Sequence, residues 1–170
     1  ELLYFFTWRD FKVRYKQTIL GVAWAILQPF ILMVVFSLFF GRLVGINTDG
    51  IPYPIFSYTG LLFWQFFLGA LGKASGSFVA SQGIIQKIYF PRLILPFSST
   101  LVSLVDFFMA AVVFAGLMIY YQVAPMLLGL TLLIPAIVIS FLTAVGLGTF
   151  LATLNVKYRD VGHALPFFIQ

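Results

Sequence analysis

LLGLTLLIPAIVISFLTAVGLGTFLATLNV, residues 127–156, carries no charged side chain from Leu127 to Val156. A helix needs about 20 apolar residues to cross a hydrocarbon layer of roughly 30 Å, so this stretch can span a bilayer and still tilt. Three further runs qualify: residues 19–40, 55–71 and 93–121. The whole chain is 62% hydrophobic and 9% charged. A soluble domain carries roughly 25% charged residues, so too little polar surface exists here to face water, and a soluble α/β fold is excluded. The sequence predicts an all-α membrane protein: an N-terminal amphipathic interface helix followed by four visible transmembrane helices.

Orientation follows from the cations. Arg9, Lys12, Arg14 and Lys16 precede the first span; Lys73, Lys87 and Arg92 lie between the second and third; Lys157 and Arg159 follow the fourth. Arg42 stands alone on the opposite side. Lys and Arg are retained in the cytoplasm, which puts both visible ends there. Residues 1–18 read differently from the spans. At 100° per residue, Tyr4, Trp8, Phe11 and Tyr15 share one stripe, with Arg9, Lys12 and Lys16 in a basic stripe beside it. Such a helix lies at the membrane surface with its rings in the acyl boundary. The plainer alternative is a basic flank that stops the first span from sliding inward.

Asp106 falls near the middle of the third span, where a carboxylate costs at least ~2.5 kcal/mol on insertion scales. No Lys or Arg falls mid-membrane to meet it, so the expected partners are Ser99, Ser103 or a further helix, in a packing role rather than as an ion relay. Pro29, Pro96 and Pro135 predict kinks in spans one, three and four. Small residues at four-residue spacing, Gly72 and Gly76, then Ala144, Gly148 and Ala152, predict close helix approach.

Catalytic and metal constellations are missing from the sequence. There is one His, no Cys and five scattered carboxylates. Gly72-Lys73 fails as a phosphate loop, because Phe67 replaces the first Gly and Ala74 the Ser or Thr that would bind magnesium. An ATP requirement would have to be met by another chain.

The run Trp8-Arg9-Asp10-Phe11-Lys12-Val13-Arg14-Tyr15-Lys16-Gln17-Thr18, then Leu20-Gly21-Val22-Ala23-Trp24-Ala25-Ile26-Leu27-Gln28-Pro29, resembles the start of type-2 ABC exporter permeases. The similarity is to the branch that exports polysaccharides and polyol phosphates: O-antigen, capsule or teichoic acid. Lys87-Ile88-Tyr89-Phe90-Pro91-Arg92 and Asn155-Val156-Lys157-Tyr158-Arg159-Asp160-Val161 agree in order. The resemblance implies a six-helix permease of the bacterial cytoplasmic (inner) membrane, of which residues 1–170 would be a fragment, since the sequence stops at Gln170 as a new apolar stretch begins. It implies a second permease copy and two separate ATPase subunits that bind the ATP and magnesium, leaving no cofactor in this chain. Residues 82–92 would form a coupling helix contacting the ATPase through Gln82, Ile85, Lys87, Ile88, Tyr89 and Arg92, with Lys157, Arg159 and Asp160 nearby. The substrate would be an undecaprenyl-linked glycan, and membrane lipid, not nucleic acid, would surround the protein. Trp24, Phe30, Phe63 and Trp64 are the aromatic candidates for a sugar channel. Other classes weighed are a drug or small-lipid exporter of the same type, an ion-coupled secondary transporter and a membrane-embedded transferase. The last two would need more intramembrane charge, an inverted repeat or clustered acids.

Overall fold

The computed structural model describes residues 1–16, 21–46, 48, 50–158 and 160–169. All regular structure among them is helical: α1 (Leu2–Lys16), α2 (Gly21–Phe36), a π-helical continuation (Ser37–Val44), α3 (Tyr53–Ala80), α4 (Gln82–Ile85), α5 (Ile94–Tyr120), α6 (Leu127–Lys157) and α7 (Asp160–Ile169). Four helices have the length and apolar character to cross a bilayer: Ala23–Val44, Tyr53–Ala80, Ile94–Tyr120 and Leu127–Lys157. The start of the first expected span, at residues 19–20, lies outside the described residues.

The second span is longer than its apolar run. It continues beyond Leu71 to Ala80, because Ser75 and Ser77 donate to the carbonyls of Gly72 and Ala74 within the helix and face protein. Hydropathy breaks at Gly72, while the helix does not. The first span also runs past its expected end at Phe40, through a π-helical segment that stops at Gly45, whose left-handed backbone (φ 65°) caps it. Gly41 in that segment leaves room for Tyr53, whose ring would sit 3.1 Å from an added Cβ.

Helix α3 is the hub, packing against α5 on one side and α6 on the other. Its contact with α5 is a core of Tyr58, Leu62, Phe66, Phe107 and Ala110, where the Tyr58 hydroxyl donates to the Ala110 carbonyl at 3.1 Å. Its contact with α6 is made of small residues. Ala144, Gly148 and Ala152 are buried on α6, and Gly148 lies so close to Ala74 that any Cβ would collide with it. Gly72 and Gly76, expected to share that work, do not: nothing lies within 4 Å of a Cβ built on either, and both border an open groove. Pro29 and Pro135 sit inside helices as expected. Pro96 is in the first turn of α5, where a missing N–H breaks no helical hydrogen bond, so it places no kink in the span.

Candidate functional site: a charged cluster and an exposed tip at the basic end

Three features gather at one end of the bundle: α1, the α3–α5 connection and the α6–α7 junction. Helix α1 is anchored at both ends along α5. Phe6 is buried against Phe90 (ring centroids 5.4 Å apart) and Leu95, while eight residues later Arg14 reaches Asp106. Contact at two levels of α5, Leu95 and Asp106, means that α1 follows α5 lengthwise. The aromatic stripe is continuous: Tyr4 stacks on Trp8 at 6.3 Å, Trp8 on Phe11 at 5.8 Å, and Phe11 meets Tyr15 at 4.6 Å. Tyr4 and Trp8 stay exposed. Lys12 lies 5.3 Å over the Trp8 ring, Lys16 is exposed, and Arg9 pairs with Asp10 at 2.8 Å.

Asp106 corrects the sequence reading. Its carboxylate accepts hydrogen bonds from the Arg14 guanidinium and the Tyr15 hydroxyl, and from Lys73 Nζ at 3.2 Å. The serines are not its partners: Ser99 donates to its own helix, at the Leu95 and Pro96 carbonyls, and Ser103 Oγ is buried with no partner. The cations were missed for two reasons. Lys73 lies on α3 beyond the apolar run that marks the second span, and Arg14 comes from a helix that precedes the spans. An acidic residue in an apolar run with basic flanks on neighbouring segments was the available signal. Burial and the Asp106 bond push the Tyr15 hydroxyl up to about 12, so it stays a proton donor throughout the physiological range. Beside the cluster, Gln28, Gln65, Ser103 and Asp106 line a cavity of about 170 Å³ between α2, α3 and α5.

The α3–α5 connection is compact at its root and bare at its tip. Only Gln82–Ile85 is helical; turns carry the chain to Ile88, whose N–H bonds the Ile84 carbonyl at 3.1 Å. The expected helix over residues 82–92 therefore ends early, at Ile85, and Pro91 keeps Phe90 before it out of helical backbone. Ile85 is half-buried in the Phe6–Phe90–Leu95 cluster. Gln82, Lys87 and Arg92 are exposed, Ile88 is 60% exposed and Tyr89 fully so.

At the α6–α7 junction, Asn155 is a residue that sequence reasoning quoted but did not single out. Its side chain donates to the Ser75 carbonyl at 3.2 Å and accepts from Gly162 N–H at 3.1 Å, tying α6, α3 and α7 together. A Cβ on Gly162 would sit 2.9 Å from the Asn155 oxygen, so glycine is needed there. Lys157 and Asp160 flank this clamp in the open, Asp160 in the first turn of α7. Arg159 lies outside the described residues. Of the four channel candidates, Phe63 packs on Phe107 at 5.3 Å within the core, whereas Trp24, Phe30 and Trp64 are exposed. No group of acids and His among the described residues could hold a metal.

Four apolar spans, with α2, α5 and α6 packed around α3 and polar groups gathered at one end, define a multi-pass helical membrane protein. Comparison with known proteins narrows this class. The ABC-2 type transporter family matches residues 1–170, and the chain belongs to that family. It is similar to two O-antigen export system permease proteins RfbA of Klebsiella pneumoniae, one 30% identical over 162 residues and the other 29% over 165, each match covering 95% of this chain and 61% of the relative. An O-antigen export system permease protein RfbA of Myxococcus xanthus is 30% identical over 156 residues, 91% of this chain and 58% of the relative. The chain thus spans about three-fifths of the length of these relatives.

Proposed function

We propose that this chain is the membrane-spanning part of a permease that exports a lipid-linked polysaccharide across the bacterial cytoplasmic membrane. The work is driven by ATP hydrolysis on a separate subunit. Three relatives named for O-antigen export support the substrate class. In the sequence, nine of the ten Lys and Arg residues fall on one side of the spans and Arg42 on the other, which supports placing that side in the cytoplasm. In this arrangement two permease copies pair with two ATPases, which hold ATP and magnesium, and the permease performs no chemistry of its own. Helix α1 enters from the cytoplasmic leaflet boundary, where its Tyr4–Trp8 end lies, and runs along α5 to Asp106 with its ring ladder towards lipid.

One observation carries the coupling role: Ile88, 60% exposed, and Tyr89, fully exposed, project from a root held in the Phe6–Phe90–Leu95 cluster. A bare apolar pair on an end bearing Lys87 and Arg92 fits a partner's groove better than it fits water. Movement of that partner would pass through Phe90 to Phe6 on α1 and Leu95 on α5. The test is a Cys at Ile88 in the full-length permease, co-expressed with its ATPase and treated with a bifunctional cross-linker. A permease–ATPase product, together with loss of glycan export when Tyr89 is replaced by Ala, is the expected result. A complex that forms and exports normally in both variants would remove the tip from the coupling path, and normal surface glycan without this permease would remove the substrate class.

A further inference from the structure

A groove of about 740 Å³ opens between α1, α3 and α5 beside the charged cluster. Arg14 of α1 and Lys73 of α3 both line it, as do Gly72 and Gly76, where an added Cβ would meet nothing within 4 Å. Both cations share one carboxylate, Asp106, while Tyr15 is neutral, which leaves the cluster one positive charge in excess. The other ionic group on the groove, Arg9–Asp10, is already paired. Donors remain as well: Asp106 engages one guanidinium nitrogen of Arg14 and one of the three ammonium hydrogens of Lys73. Their side chains keep 36% and 30% of their exposure, so the charged heads are reachable from the groove. An excess cation held among apolar helices calls for a counter-anion.

We propose that this groove binds the phosphate headgroup of a membrane lipid, with Arg14 and Lys73 as its ligands and Gly72 and Gly76 giving it room. The exposed Tyr4 and Trp8 rings on α1 put the groove's rim at headgroup level, where such rings settle. A phosphorylated lipid carrier and a bulk anionic phospholipid share this chemistry. The inference does not depend on which polymer is exported.

The test uses the full-length permease with its ATPase in nanodiscs of phosphatidylcholine, doped with a photoactivatable phosphatidylglycerol. Cross-links are mapped by mass spectrometry. They should fall on residues 13–14 and 72–76, drop about tenfold in Lys73→Gln and return in Lys73→Arg. Gly76→Leu, which fills the groove and leaves every charge in place, should lower them equally, so a loss in Lys73→Gln cannot be blamed on a loosened cluster alone. Competition then separates the sources. Displacement by undecaprenyl phosphate well below the concentration of unlabelled phosphatidylglycerol assigns the carrier, and equal displacement assigns bulk lipid. Displacement by inorganic pyrophosphate as readily as by either lipid would overturn a membrane-lipid occupant. Cross-links scattered over the outer surface, or unchanged in Lys73→Gln and Gly76→Leu, would overturn the site itself.

Discussion

Helices α3 and α6 are both long enough to span a bilayer, yet they live in different solvents. In its most apolar window α3 is 39% buried and α6 only 6%. The ranking by hydropathy runs the other way: α3 is the least apolar of the four spans and α6 the most. In water the greasiest segment would be sought at the centre. In a bilayer, lipid tails are as apolar as Leu, so burying apolar surface gains little and polar groups are what protein must enclose. Helix α3 carries Tyr58 and Lys73 into contacts with α5 and keeps Ser75 and Ser77 buried, while α6 offers one small-residue seam and leaves Leu130, Leu132, Ile134 and Leu142 bare.

The contrast can be tested by breaking each side of it. The largest effect is expected at the hub's charged cluster. Asp106→Ala strands Arg14 and Lys73 and should cost roughly 3–5 kcal/mol, read as loss of folded protein in a detergent melting assay. Replacing all three by apolar residues should recover most of that stability, and a triple variant as unstable as the single one would show that the cluster organises the hub in some other way. Next comes the seam of α6. Gly148→Val collides with Ala74 and should cost about 1–3 kcal/mol, whereas Gly146→Ala, with nothing within 4 Å of its new Cβ, should leave the melting temperature alone. Equal effects at the two glycines would erase the distinction between seam and lipid face. Asn155→Ala loses two hydrogen bonds at the foot of α6 and should cost about 1 kcal/mol, with faster proteolysis after Lys157 as the more sensitive measure. The smallest effect belongs to the bare face: Leu132→Val should stay within about 0.5 kcal/mol of the parent.

Much of this was legible in the sequence, and for a physical reason. Bilayer thickness imposes a length on apolar runs, so residues 93–121 and 127–156 mark helices Ile94–Tyr120 and Leu127–Lys157 closely. The polar end of α3 was not legible by that rule. Past Leu71 the helix is kept by Ser75, Ser77 and the neighbours that enclose them, and a hydropathy window sees only the loss of apolar residues. Asp106 announced itself as costly, but its partners sit on other helices, one of them ninety-two positions away, and no local pattern encodes that meeting. Glycine spacing predicted close approach correctly at Gly148 and wrongly at Gly76, since four-residue spacing says which residues share a face but not which face meets a helix. The tip at Ile88 and Tyr89 was placed by resemblance. Its exposure, and the early end of the helix before Pro91, needed the fold.

The ninety-two residues between Arg14 and Asp106 also set a schedule. A ribosome adding roughly 5–20 residues per second leaves α1 waiting about 5–20 s before its acceptor on α5 has been made. A lone helix of fifteen residues is marginal in water. In the proposed arrangement α1 spends that interval moored to the membrane surface by its ring ladder and cations. Its final berth opens only when the third span has been inserted, so the lock between α1 and α5 joins a part synthesised early to an acceptor made much later.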